Sequence, residues 1–151
     1  MKKLIIGMLI VLIALVAALA VLGQGSSASL YADGTHADYN QIGDDVVGTN
    51  LYYFYQESCV HCNNIKEDIA DFYYSDEHED IDFYFVDAAQ SKNSDVWFRG
   101  ESDDFVPPSG KFTDYTDIQI LGTPTLIEIM DGQITQFLVG EEAIPAYLES
   151  L

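Results

Sequence analysis

Residues 51–62 read LYYFYQESCVHC. The first five, Leu51 to Tyr55, form an unbroken aromatic and aliphatic run whose length and composition suit a buried central strand. Gln56-Glu57-Ser58 ends it. From Val60 the period changes. Ile65, Ile69, Phe72 and Tyr73 recur at spacings of three and four, with Lys66, Glu67, Asp68 and Asp71 between them, which predicts an amphipathic helix. The helix fades in the polar stretch Ser75 to Asp80. Cys59 and Cys62 therefore fall at a strand end and in the first turn of a helix.

That placement has chemical consequences. Three-residue spacing puts both sulfurs on one helical face, close enough to bond without moving the backbone. Cys59 sits beside the unpaired amides of the helix start, which favour a thiolate. A thiolate is the attacking species in disulfide exchange and the better leaving group. Cys62, one turn in, is expected to be less exposed and to resolve the mixed disulfide. His61 stands between them, and a partly charged imidazole there would stabilise the Cys59 thiolate further. A dithiol whose reduced form is stabilised is the stronger oxidant, so His61 favours donation of disulfides. Such exchange needs no cofactor and no metal.

Outward from this stretch, Ile81 to Val86 reads as a second buried strand closed by Asp87. A helix between two buried strands is a βαβ unit, and the crossover implies parallel pairing. Thr125 to Met130 is a third strand, Asp131-Gly132 a hairpin signal, and Gln133 to Val139 its antiparallel partner. Gly140 breaks that strand and a short helix over 141–151 closes the chain. Gly122-Thr123-Pro124-Thr125 stands directly before the third strand, where proline is tolerated, and would end near the cysteine turn. A cis bond at Pro124 would be a deliberate feature. Residues 88–122 are long and mixed, part helix and part loop. Trp97 and Phe98 there could sit on an extra helix or lid, although packing is the favoured reading.

Toward the N-terminus, Lys2-Lys3 precedes Leu4 to Leu22, which carry no charged or polar side chain. This length matches a bilayer core. The lysine flank places the N-terminus inside and the rest outside. Residues 1–23 are read as a transmembrane anchor or a signal peptide, with the uncleaved anchor favoured. The domain is thus expected on the extracytoplasmic side of the cell membrane, or secreted after cleavage. Residues 24–48 are a tether and lead-in, with a weak strand or a short helix, and 49–151 the folded domain. Residues 1–25 contain no acid, so all 25 acids fall beyond them against four bases, Lys66, Lys92, Arg99 and Lys111. That surface repels phosphates, which argues against nucleic-acid binding. Two cysteines exclude a disulfide-stapled mini-fold and a four-cysteine zinc site.

From about Leu51 to Leu151 the chain resembles the thioredoxin superfamily. The resemblance rests on strand–Cys59-Val60-His61-Cys62–helix, a second strand ending at Asp87, and Gly122-Thr123-Pro124-Thr125 before a hairpin and a final helix. It implies an α/β fold with a central mixed sheet flanked by helices. It further implies Cys59 as nucleophile, Cys62 as resolving thiol, Pro124 as a cis-proline facing them, and Thr123 offering backbone hydrogen bonds to substrate. The implied partners are protein thiols and disulfides and a redox partner that the sequence does not identify. The x-His dipeptide Val60-His61 looks like that of bacterial disulfide oxidases. The anchor, small size and aromatic strand resemble exported thioredoxin-like proteins of Gram-positive bacteria, including bacteriocin transport accessory proteins. There are departures. Ser58 stands where thioredoxins carry Trp, and Val60-His61 replaces Gly-Pro. Tyr53 and Phe83 occupy the positions of the buried Asp and its Lys partner, which argues against efficient general reduction.

Two other functions compete. Cys59, His61 and Cys62 could chelate copper or zinc with a further ligand such as His36 or His78. Alternatively, the fold could serve only as an interaction scaffold, the cysteines forming a fixed disulfide.

Overall fold

In the computed structural model, which describes residues 30–43 and 47–151, the aromatic run lies in strand β1 (Thr49–Tyr55). Every residue of β1 after Thr49 is buried. Leu51, Tyr53 and Tyr55 face one apolar cluster, and Tyr52 and Phe54 the other. A strand buried on both faces needs a layer on each, which is why its sequence does not alternate.

β2 (Ile81–Asp87) pairs parallel with β1, setting Tyr53 opposite Phe85. On the other side β4 (Thr125–Met130) runs antiparallel, with Phe54 opposite Thr125. β4 turns into β5 (Gln133–Val139) through Asp131-Gly132, both with positive φ (49° and 74°), as a tight two-residue hairpin requires. The short β3 (Gly110–Lys111) pairs antiparallel with β5 at the edge. The strand order is β2-β1-β4-β5-β3, a mixed five-stranded sheet, as expected.

One face of the sheet is helical. α1 (Leu30–Asp33), α2 (Val60–Asn64), α3 (Lys66–Tyr73) and α4 (Ala143–Leu148) bury Leu30, Tyr31, Cys62, Ile69, Phe72, Ile144 and Leu148 against it. Each large apolar side chain so buried is worth about 1.5–3 kcal/mol. The single amphipathic helix expected after Val60 is divided at Ile65 (φ −102°, ψ 11°). Asn63 and Asn64 precede the break, and their amides are engaged outside the helix, by the Glu57 carbonyl (3.1 Å) and the Glu141 carboxylate (2.7 Å). Such side-chain bonding competes with helical continuity.

The opposite face is covered by irregular chain. Tyr39, Ile42, Val96, Ile118 and Ile120 pack on Tyr52, Phe54, Val86, Ile127 and Ile129. Within 88–122 the described structure consists of 3-10 turns, loops and β3, with no α-helix. Trp97 donates Nε1–H to the Ala88 carbonyl (3.1 Å) and packs against the second cluster. Phe98 meets Phe105 edge to face, and Phe105 meets Phe137. These side chains pack; they do not form an extra helix.

The lead-in departs from expectation. Among the described residues the packing already includes Leu30, ahead of the expected boundary at residue 49, because Leu30, Tyr31, Tyr39 and Ile42 are core residues. Residues 35–37 also run alongside β2, with Phe85 N–H donating to the Thr35 carbonyl (2.8 Å) and Ala37 N–H to the Phe85 carbonyl (3.0 Å). This covers an otherwise open sheet edge. Gly34 permits the approach, since a Cβ there would lie 2.5 Å from the Phe85 ring. The anchor or signal segment expected within residues 1–23, and the tether after it to residue 29, lie outside the described residues. Among the described residues no helix is long and apolar enough to cross a membrane.

Candidate redox site

β1 ends at Tyr55, the chain turns through Gln56-Glu57-Ser58, and α2 starts at Val60 with Cys59 as its N-cap. The turn is fixed by Cys59 N–H donating to the Gln56 carbonyl (3.1 Å). At the cap, the Cys59 sulfur accepts the Cys62 backbone N–H at 3.2 Å. This is the geometry of an N-cap side chain satisfying an orphan amide, with sulfur in place of oxygen. Cys59 is half-buried, and Cys62 is fully buried beneath it.

The strand β4 entrance closes the site from the other side. The Thr123–Pro124 bond is cis, as expected if the feature is deliberate, and Pro124 is buried. The Cys59 thiol donates to the Thr123 carbonyl at 3.3 Å. Two hydrogen bonds hold this loop: Thr125 Oγ1 to the Gly122 carbonyl (2.7 Å), and Gly140 N–H to the Pro124 carbonyl (3.0 Å). Thus Cys59, Cys62, Thr123 and Pro124 come together although more than 60 residues separate the two segments.

The two thiols are polarised in opposite directions. Burial alone would push the Cys59 thiol up. Hydrogen bonds from the Cys62 and Thr123 side chains and from the Cys62 and His61 backbone amides outweigh it and bring Cys59 below an ordinary thiol. For Cys62, burial dominates and, with the hydrogen bond to Cys59, raises it to about 11. One sulfur is thus easily charged and reachable, and the other is neutral and enclosed.

His61 lies differently from the expectation. Its side chain is 65 % exposed, and its Nδ1–H donates to Glu141 Oε2 at 3.1 Å. The same carboxylate oxygen accepts from Asn64 Nδ2 at 2.7 Å. Asn64 first, then His61, holds the Glu141 carboxyl below the usual range. What His61 supplies directly to Cys59 is its backbone amide, while its imidazole engages Glu141. Val60 is exposed, with its side chain pointing away from the core.

Three neighbours were not anticipated from sequence. Glu141 clasps His61, and Asn64 donates to the same Glu141 oxygen. Tyr31, from the lead-in, donates its hydroxyl to the Cys62 carbonyl at 3.3 Å, and its ring stacks on Tyr55 at a centroid distance of 4.1 Å.

The chelation alternative lacks its further donor. His36 Nε2 is engaged by the Tyr31 carbonyl at 2.9 Å, and His78 stacks on Phe72 at 4.2 Å. Among the described residues no three His, Cys, Asp or Glu side chains converge as metal ligands.

With this geometry in hand, known structures can be compared. Mitochondrial thioredoxin 3 from Saccharomyces cerevisiae, in its oxidized form, superposes with a TM-score of 0.55 at 16 % identity, covering 83 % of this chain and 95 % of that one. The fold is that of the thioredoxins. Malassezia sympodialis thioredoxin gives a TM-score of 0.53 at 18 % identity, covering 77 % of this chain and 84 % of that one. Spinach chloroplast thioredoxin f gives 0.52 at 13 % identity, covering 77 % and 88 %. No protein-family model and no curated protein matches the chain. At these identities the likeness is one of fold, and the thioredoxin-like domain owes its chemistry to its own residues.

Proposed function

We propose that the domain is a thiol–disulfide oxidoreductase that exchanges disulfides with protein substrates through Cys59 and Cys62, outside the cytoplasm and held at the membrane by residues 4–22. The observation that carries the reading is the cap of α2. A half-buried Cys59 sulfur accepts the Cys62 amide at 3.2 Å, above a fully buried partner thiol. Cys59 is the nucleophile, and its thiolate attacks a substrate disulfide or, in the disulfide form, its sulfur receives a substrate thiolate. Cys62 forms or releases the intramolecular bond. Thr123 and Pro124 border the substrate side of Cys59. His61 and Val60 modulate it from the helix. The lowered Cys59 thiol favours the reduced form, so the pair is read as an oxidant more than a general reductase. The aromatic sheet, the small domain and the apolar N-terminal segment support a role like that of exported thioredoxin-like proteins such as bacteriocin transport accessory proteins. An unidentified redox partner would reset the pair after each turn.

Trapping tests the assignment. Cys62→Ser should accumulate mixed disulfides through Cys59, seen as adducts that dithiothreitol releases. Absence of such adducts under conditions where Cys59 reacts with alkylating agents would overturn it.

A further inference from the structure

Tyr53 is fully buried on the helical face of the sheet, yet its hydroxyl makes no close hydrogen bond among the described residues and has only a weak interaction with the Tyr31 hydroxyl beside it. An unpaired buried hydroxyl is a net cost to stability, and phenylalanine would fill the same space without it. The surroundings of that hydroxyl are those of the enclosed half of the redox pair. Tyr31, Tyr55 and Cys62 share the cluster of Tyr53. The Tyr53 and Tyr55 rings lie nearly parallel, 6.2 Å apart, and Tyr31 stacks on Tyr55 while donating its hydroxyl to the Cys62 carbonyl. Burial first, then the nearby Tyr31 and Cys62, pushes Tyr53 well above an ordinary tyrosine, so it keeps its proton and can act only as a donor or as a neutral acceptor.

We propose that Tyr53, next to Tyr31, is a positioning residue for disulfide exchange whose hydroxyl donates to the Cys62 sulfur whenever that sulfur is charged. The proposal rests on the oxidoreductase reading. In either direction of electron flow Cys62 passes through a thiolate. When a substrate thiolate attacks Cys59 of the disulfide, the Cys59–Cys62 bond breaks, its electron pair goes to Cys62 and a substrate–Cys59 bond forms. In reverse, the Cys62 thiolate attacks Cys59, the Cys59–substrate bond breaks, and the substrate sulfur leaves with the pair. Solvent supplies and removes the protons; Tyr53 neither loses nor gains one. The Gln56 backbone and the Thr123 side chain serve the Cys62 sulfur from the turn and the β4 entrance, but on its core side a charge would meet aromatic rings, where an ion without a donor is strongly disfavoured. The other titratable groups about the pair are Cys59 and Glu57 on the turn, His61 on α2 with its partner Glu141, Tyr31 on α1, Tyr55 on β1, and Lys66 on α3, whose Nζ lies 4.5 Å from the Tyr31 ring centroid.

The test measures Cys62 alone and then the exchange. In reduced Cys59→Ser protein, the pH dependence of iodoacetamide alkylation reports Cys62. Adding Tyr53→Phe should move its midpoint to higher pH. In the full chain with both cysteines, Tyr53→Phe should slow opening of the disulfide by dithiothreitol at fixed pH at least threefold, with an unfolding midpoint in urea equal to or above that of the parent. Tyr31→Phe should give a smaller slowing. An unchanged Cys62 midpoint with an unchanged opening rate would overturn the proposal, and so would a lowered urea midpoint as the sole effect, which marks a purely structural hydroxyl. If the parent protein exchanged no disulfide at all, the functional reading would fall, and the Cys62 midpoint would still decide whether Tyr53 donates.

Discussion

Cys59 is a cap residue and, in the proposed function, the nucleophile, and its expected behaviour follows from both. The amides that need a partner at the start of α2 find a sulfur, and a charged sulfur is the better acceptor. Alkylation of reduced protein should therefore occur in two steps. Cys59 should react with a midpoint below the ordinary ~8.5 of cysteine, and Cys62 with one near about 11. A single step would show that the two thiols are not polarised as described. The Glu141 clasp leads to a second expectation. Its carboxylate holds the His61 imidazole and adds a negative charge near the cap. Glu141→Gln should make the pair more oxidising by about threefold in the exchange equilibrium, ~15 mV for a two-electron couple. In a His61→Ala background the shift should shrink, and equal shifts in both backgrounds would show that His61 is not involved. The motif and its polarity were legible in the sequence because strand, turn and helix are neighbours along the chain. The clasp was not, because His61 and Glu141 are 80 residues apart and both are of residue types that ordinarily face solvent.

At the scale of elements, β1, β2, β4, β5 and the Asp131-Gly132 turn could be read directly, since period and turn chemistry are local properties. The break at Ile65 could not, because it depends on where the Asn63 and Asn64 amides find acceptors. Nor could the packing of 30–43, where single side chains reach the core without any repeating pattern. That packing has a measurable consequence. A chain cut to residues 49–151 should be less stable than residues 30–151 by at least about 3–6 kcal/mol, the worth of burying Leu30 and Tyr31 alone, with Tyr39 and Ile42 lost as well, as read from urea unfolding; equal stability would show that residues 30–48 merely rest on the domain. The tyrosines set a pH limit. Burial first raises Tyr31 and Tyr39 to about 12. An unfolded tyrosine releases its proton near about 10. Between these values the folded chain binds protons that the unfolded chain has lost, so stability falls as pH rises. The expected loss over that range is on the order of 4 kcal/mol, and the part of the tyrosinate absorbance that belongs to Tyr31 and Tyr39, read as the difference from Tyr31→Phe and Tyr39→Phe proteins, should rise together with unfolding instead of gradually before it.

For the molecule as a whole, fold and charge act on different questions. The mixed sheet brings the cysteine turn and the Thr123–Pro124 entrance to one end, so that two distant segments form one candidate site. The acids that outnumber bases after residue 25 act on encounter. Disulfide exchange should be faster with cationic than with anionic small disulfides of similar reactivity, and the ratio should fall toward one as salt shortens the Debye length to about 3 Å at 1 M. The most direct measurement is the reduction potential of the Cys59–Cys62 pair, obtained by equilibrating the protein in glutathione buffers, trapping free thiols and weighing the products. A reversible two-electron transition less negative than about −270 mV is the predicted result. A pair that never closes, or a disulfide that stays intact below about −300 mV, would contradict the account.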